Sequence, residues 1–153
     1  MRSVIASHAV VGVLLGLGSI VPRETVPIAA DCDSPAVEIQ LGQDVRSAIR
    51  ATTRPYPATA TYYCVVVPAG TRRVTMTLGG MTTDLDLYVG HGSIRTVQGV
   101  DLSAGQNYQW KSNDFGTGDE RVVIERPQAG TYYIEIASYE GAGSNFTFRA
   151  IAG

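Results

Sequence analysis

The stretch Pro127-Gln-Ala-Gly-Thr-Tyr-Tyr-Ile-Glu-Ile-Ala-Ser-Tyr139 decides the fold class of this chain. A Pro-x-x-Gly turn leads directly into a run with a two-residue period, which is typical of a β-strand rather than a helix. The side chains of one parity are large and apolar and would face a core: Tyr132, Ile134 and Ile136. The stretch therefore predicts a strand that packs one face against a hydrophobic interior.

Further strands are predicted on both sides of this one, at short intervals and separated by Gly, Pro and Asn. The predicted ranges are 37–41, 44–50, 61–67, 72–78, 84–89, 107–111, 120–125, 131–138 and 145–151. Other core-facing positions follow from the same alternation: Val74, Met76, Leu78, Leu85, Leu87, Val89, Phe146 and Phe148. We therefore predict an all-β fold, a single antiparallel β-sandwich of jelly-roll type.

The N-terminal segment, residues 1–30, is interpreted as a secretory signal peptide. Arg2 gives it a positive start, and the apolar run from 9 to 20 is too short to span a bilayer as a helix. Small residues at Ala29 and Ala30 offer a cleavage point. The mature β-sandwich would then be residues 31–153, extracellular and without membrane contact after cleavage. A retained N-terminal anchor is the alternative.

The only two cysteines of the chain, Cys32 and Cys64, are predicted to form a disulfide, because secreted proteins mature in an oxidising compartment. The bond would tie the start of the mature domain to a strand. The alternative is a pair of free thiols. Neither state suggests a catalyst, since Cys64 lies in the run 62–67, which is apolar and strand-like.

The charge and the histidine content argue against several classes of function. The formal net charge is −2 at pH 7, and the sequence shows no basic stripe, which argues against a nucleic-acid partner. No nucleophile-elbow motif is present. Only His91 remains after signal cleavage, and it is followed by Gly92 and Ser93 in an irregular segment, 90–105. We therefore expect no enzymatic activity; a small secreted hydrolase or inhibitor acting through this segment is the alternative.

Three segments, taken in order, resemble the bacterial pre-peptidase C-terminal domain family. They are Thr61-Tyr-Tyr-Cys-Val-Val-Val-Pro-Ala-Gly70, Thr83-Asp-Leu-Asp-Leu-Tyr-Val89, and the path from Ser112-Asn-Asp114 through Pro127 to Gly130-Thr-Tyr-Tyr-Ile134. The resemblance covers most of 36–152 and implies a small β-sandwich of the kind appended to secreted proteases. The collagen-binding domains of clostridial collagenases belong to the same group. One departure is Thr61, where family members usually carry Asp.

Six oxygen-bearing side chains form a candidate metal site: Asp84, Asp86, Asn113, Asp114, Asp119 and Glu120. The first two would leave one strand face roughly 6–7 Å apart, and the other four lie in a Gly-containing loop. Calcium prefers six to eight oxygen ligands, and the resemblance implies it as a cofactor, since some family members bind calcium. The alternative is a solvated strand face with a polar turn. Trp110 and Phe115 flank the loop and are expected to anchor it in the core.

Three side chains of the deciding strand are candidates for ligand binding: Tyr133, Glu135 and Tyr139. They share the parity opposite to the core and are expected to be exposed. The resemblance implies this role for Tyr139 in particular, because collagen-binding relatives grip a triple helix with exposed tyrosines of the corresponding strand. Half-exposed tyrosines are also ordinary in strands. The expected function is a secreted, non-catalytic binding or accessory module that recognises an extracellular protein or polysaccharide surface; a structural envelope protein is a further alternative.

Overall fold

The computed structural model describes residues 32–53, 59–98, 107–138 and 141–153. The predicted signal peptide and Tyr139 lie outside these ranges. Within the described ranges, no helix is both long enough and apolar enough to cross a membrane.

Nine strands and one turn of 3₁₀ helix make up the regular structure of the described residues. The strands are β1 (Val37–Glu38), β2 (Asp44–Ile49), β3 (Ala60–Val67), β4 (Arg73–Gly79), β5 (Asp86–His91), β6 (Trp110–Ser112), β7 (Glu120–Glu125), β8 (Gly130–Ala137) and β9 (Ser144–Ala152). The 3₁₀ turn, Ile94–Thr96, follows β5. Each predicted strand is confirmed, with ends that differ by up to three residues.

The strands form two sheets. Sheet A has the order β1-β3-β8-β5-β6, and sheet B has the order β2-β9-β4-β7. Neighbouring strands are antiparallel, except that β1 runs parallel to β3. Without β1, the order of the remaining eight strands is that of a jelly roll. The predicted fold class is therefore confirmed.

The inner faces of the two sheets enclose one hydrophobic core. Every core-facing residue predicted from the alternation of β4, β5, β8 and β9 is buried in it. At its centre the Tyr63 ring from sheet A stacks on the Phe148 ring from sheet B, with centroids 6.1 Å apart and planes 12° apart. Burying such aromatic rings is worth several kcal/mol in total, so this contact is a main link between the sheets.

The Pro127-Gln-Ala-Gly130 turn starts the deciding strand as predicted. Gly130 has a φ of 135°, a conformation that side-chain-bearing residues rarely adopt. A Cβ atom at this position would lie 2.8 Å from Nε2 of His91, so glycine is also required for space. The turn brings the start of β8 against the end of β5, where His91 is opposite Tyr132.

Candidate functional site

Cys32 and Cys64 form the predicted disulfide. Their Cα atoms are 6.2 Å apart, within the usual range for such bonds. Cys64 lies on the outer face of sheet A with no exposed surface and packs against Ile94 and Tyr133. The bond thus holds the segment that begins at Cys32 against the outer face of sheet A.

The expectation that Tyr133 and Glu135 are exposed is wrong. Both point to the outer face of sheet A, as their parity predicts, but they are only 2% and 0% exposed. Tyr133 is covered by Cys32 and the 3₁₀ turn that contains Ile94, and its hydroxyl accepts a hydrogen bond from the N–H of Asp33 at 3.0 Å. Alternation identifies the face on which a side chain lies, and it carries no information on what the rest of the chain places over that face.

A cluster of tyrosines and acids occupies the middle of this outer face. The hydroxyl of Tyr62 donates to Oε1 of Glu135 at 3.3 Å, and the hydroxyl of Tyr88 donates to Oδ2 of Asp86 at 3.0 Å. Tyr88 lies opposite Glu135 in the pairing of β5 with β8, and its ring centroid is 5.1 Å from that of Tyr108. Sequence reasoning missed this cluster, although the outward parity of Tyr62 and Tyr88 was a signal for it.

Four of the acidic residues predicted to bind a metal lie near one another at one end of the sandwich: Asp84, Asp86, Asp114 and Glu120. Asp84 lies just before β5, and its Oδ1 accepts a hydrogen bond from the N–H of Gly116 at 3.1 Å. Glu120, at the start of β7, is 1% exposed; its carboxylate accepts hydrogen bonds from the N–H of Asp114 at 3.1 Å and from the hydroxyl of Ser112. These contacts fasten the β6–β7 loop, residues 113–119, to the segment just before β5 and to the start of β7. We call this loop the acidic loop.

Burial and mutual repulsion disfavour the ionised forms of two of these acids. Burial raises the pKa of Glu120, and the nearby carboxylates of Asp114 and Asp86 raise it further, against the two hydrogen bonds. Burial also raises the pKa of Asp86; the Tyr88 hydroxyl opposes this effect, and the carboxylate of Asp84 adds to it. Four of the six predicted ligands are thus near enough to influence one another.

The oxygen atoms of these six side chains are ligands that suit a hard cation, but the positions of the side chains suit one only in part. Carboxylate and amide oxygens are the ligands that calcium prefers. Asn113 is exposed, while the side chain of Asp119 lies against Gly79 at the end of β4. Both oxygens of Glu120 already accept hydrogen bonds, so this residue fits a role in holding the loop. Across the described ranges, no three His, Cys, Asp or Glu side chains are grouped as a metal site.

The two aromatic residues that flank the acidic loop differ in their surroundings. Trp110 packs against the core, and its ring centroid is 5.9 Å from that of Tyr132, as expected for an anchor. Phe115 is fully exposed, so the expectation that it anchors the loop is wrong. The loop is held by hydrogen bonds to its backbone at Asp114 and Gly116 instead, which leaves the Phe115 ring at the surface.

His91 contacts the start of β8. Its Nε2 lies 3.3 Å from the carbonyl oxygen of Ala129, and its ring centroid is 4.8 Å from that of Tyr132. Ser93 precedes the 3₁₀ turn, and its carbonyl accepts a hydrogen bond from the hydroxyl of Thr96. Of the segment 90–105, residues 99–105 lie outside the described ranges.

The sequence profile of the bacterial pre-peptidase C-terminal domain matches residues 59–138. This range extends from the start of β3 to the end of β8 and contains the tyrosine cluster and the acidic loop. The chain belongs to this family. Domains of the family are non-catalytic modules found on secreted peptidases. No curated protein sequence matches the chain.

Solved structures that are similar to this pre-peptidase C-terminal domain include the following two. One is the pre-peptidase C-terminal domain of a collagenase from Bacillus anthracis, with a TM-score of 0.53 and 14% identity over 75% of this chain and 93% of that chain. The other is PliG from Aeromonas hydrophila, a periplasmic inhibitor of g-type lysozyme, with a TM-score of 0.51 and 12% identity over 77% of this chain and 96% of that chain. At these identities the likeness shows the fold alone.

Proposed function

We propose that this pre-peptidase C-terminal domain is an extracellular, non-catalytic binding or accessory module. The observation that carries the proposal is the family match over 59–138, which spans strands β3 to β8 and both clusters of polar side chains described above. The Cys32–Cys64 disulfide supports an oxidising compartment outside the cytosol. The partner is the surface of an extracellular protein or polysaccharide, which the module would hold while an associated peptidase acts.

Co-sedimentation with insoluble material tests this function. Purified chain is mixed with insoluble collagen fibrils and, separately, with cell-wall polysaccharide, and the pelleted fraction is measured. The same preparation is assayed on generic peptide, ester and glycan substrates. Binding without turnover is the expected result. Turnover that disappears in a His91→Ala variant would contradict the proposal and favour a hydrolase.

Calcium binding at the acidic loop is part of the proposal. Asp84, Asp86, Asn113, Asp114 and Asp119 would supply oxygen ligands, and Glu120 would position the loop through its hydrogen bonds to Ser112 and Asp114. The support is electrostatic: the carboxylates of Asp84 and Asp114 already raise the pKa values of neighbouring acids, and a divalent cation among them would relieve this repulsion.

A thermal melt with calcium and with chelator tests the cation site. At a hundredfold excess over the dissociation constant, binding to the folded state alone adds about 2.7 kcal/mol, or roughly 10 °C for a domain of this size. Asp84→Asn and Asp114→Asn should each reduce the shift. Asp44→Asn, a matched change on sheet B, should leave it intact. A calcium shift that all three variants retain, or no shift at all, would contradict the site.

An enzyme inhibitor is the second candidate function, because the acidic loop presents Phe115 fully exposed on a backbone fixed at Asp114 and Gly116. A rigid loop with a protruding aromatic ring can enter an enzyme cleft at low entropic cost. The fold is also that of PliG. Inhibition of a g-type lysozyme, lost in Phe115→Ala, would favour this function over the accessory module.

A further inference from the structure

The outward face of sheet B concentrates arginine side chains that are scattered along the sequence. Val74, Met76 and Phe148 face the core, so residues of the opposite parity point outward from the sheet. Four outward residues, one on each strand, are arginines: Arg46 on β2, Arg73 on β4, Arg121 on β7 and Arg149 on β9. We call this surface the arginine face.

The register of sheet B sets the spacing of these cations. Arg149 lies opposite Thr77, and Thr77 lies opposite Arg121, so the Cα atoms of the two arginines are two strand spacings apart, roughly 9–10 Å. Arg46 lies opposite Thr147, two residues along β9 from Arg149, at a comparable distance. Arg46, Arg149 and Arg121 therefore form a row across the sheet, and Arg73 lies four residues along β4 from that row, opposite Glu125.

Two carboxylates on the face form ion pairs with arginines and neutralise part of this charge. Asp44 lies 3.4 Å from Arg149, and Glu125 lies 2.7 Å from Arg73. All four of these side chains are about half exposed, so each pair is screened by water and contributes little to stability. A third carboxylate, that of Asp119, lies against the outward side of Gly79 at the end of β4. Four arginines thus share the face with three acids, in a chain whose formal net charge is −2.

Two surface clefts lie at opposite ends of the arginine face. One, of about 550 Å³, is lined by Arg72, Arg73, Glu125, Arg126 and Gly153. It adds two further arginines beside Arg73. The other, of about 480 Å³, is lined by Arg46, Ser47, Ala48, Gly80, Asn145, Phe146 and Thr147. The face and its clefts together carry six of the nine basic residues in the described ranges.

We propose that the arginine face binds an acidic polysaccharide. A guanidinium group presents a planar fork of N–H donors that matches the two oxygens of a carboxylate or sulfate group. Between the arginines, the half-buried hydroxyls of Thr75, Thr77 and Thr147 offer neutral hydrogen-bonding partners for sugar hydroxyls. An open sheet face with a cleft at each end suits an extended chain, and the positive charge selects an acidic one.

Other anionic partners fit this surface less well. A protein interface has an apolar centre, whereas the outward residues of this face include only Val123 and Ile151 as exposed large apolar side chains, each 41% exposed. Single-stranded nucleic acid is held by stacking on aromatic rings, and no outward residue of strands β2, β4, β7 and β9 is aromatic. Arginine and hydroxyl groups without an apolar or aromatic centre favour a polysaccharide.

Titration calorimetry with defined polymers tests the inference, which rests on the proposed binding function but not on its calcium site. The full domain is titrated with polygalacturonate, which carries only carboxylates, with heparin, which is also sulfated, and with neutral dextran. Binding to an acidic polymer that weakens with added salt, without binding to dextran, is the expected result. The acidic polymer that binds with the higher affinity identifies the anionic group that the face recognises.

The Arg46→Gln/Arg121→Gln double variant removes the two outward arginines that form neither of the ion pairs above. It should lower the affinity for the acidic polymer at least tenfold. The Arg95→Gln/Lys111→Gln variant is the matched control, because it removes two exposed charges from the sheet A side of the molecule. It should retain the wild-type affinity.

Three results would overturn the inference: no binding to either acidic polymer, an equal loss in the two double variants, or tighter binding to single-stranded DNA or to anionic lipid vesicles than to either polysaccharide. Failure here is distinguishable from failure of the proposed function. If the chain still sediments with collagen fibrils while it ignores acidic polymers, the accessory function stands and the assignment of the arginine face is wrong.

Discussion

Removing the Cys32–Cys64 disulfide should cost this domain a large part of its stability. The two cysteines are 32 residues apart, and closing a loop of that length in the unfolded chain is worth roughly 3–4 kcal/mol in the chain-entropy model. Most small domains have a free energy of unfolding of about 5–15 kcal/mol, so this loss is a substantial fraction. The perturbation is Cys32→Ala/Cys64→Ala, compared with the oxidised wild type.

Urea denaturation followed by circular dichroism measures the effect. With a slope of about 2 kcal/mol per molar urea, a loss of 3–4 kcal/mol moves the midpoint down by roughly 2 M. The slope should also increase, because the chain without a cross-link is less compact when unfolded. Reduced wild type is the control: it lacks the cross-link and keeps the buried Cys64 side chain, so it separates the tether from the packing.

Local opening of the segment that Cys32 ties down should accompany the global loss of stability. The N–H of Asp33 donates to the hydroxyl of Tyr133, and this contact depends on the segment that Cys32 ties down. Hydrogen exchange at the Asp33 amide should therefore accelerate in the double variant, while amides in the centre of β8 change only with global stability. A loss below 1 kcal/mol in both the double variant and the reduced wild type would refute the reasoning.

Three further predictions concern the core, a tight contact and a buried acid. Phe148→Ala should destabilise the domain by about 3–5 kcal/mol in urea denaturation, because the ring is fully buried, whereas Ile151→Ala on the exposed side of β9 should cost much less. Gly90→Ala should lower the melting temperature, because a Cβ atom there would collide with the Oγ1 and Cβ atoms of Thr96, and adding Thr96→Gly, which removes both atoms, should restore part of the loss. Folding raises the pKa of Glu120, so the folded state disfavours the ionised form of this carboxyl group. The free energy of unfolding of the wild type should therefore rise relative to that of E120Q as pH falls from 7 toward 4.5. A difference between the two proteins that is constant with pH would contradict this prediction.

The sequence by itself determined the strands, the faces and the cross-link. The two-residue alternation of β4, β5, β8 and β9 is local information, and it identified the core-facing side chains because burial against a second sheet requires one apolar face. The Pro-x-x-Gly130 turn was equally local, since the positive φ of that glycine restricts the residue type. The pairing of Cys32 with Cys64 followed from having two cysteines and an oxidising compartment.

Only the tertiary structure decided what lies above each face and which distant residues become neighbours. Tyr133 and Glu135 have the predicted parity but are buried. The segment that begins at Cys32 and the 3₁₀ turn cover Tyr133, and the Tyr62 side chain from β3 contacts Glu135. The arginine face arises in the same way: Arg46 and Arg121 are 75 positions apart in the numbering and lie on one face only because β2 and β7 belong to one sheet. Jelly-roll order joins strands that are distant along the chain, so the composition of a surface is set by that order and by register rather than by any local pattern.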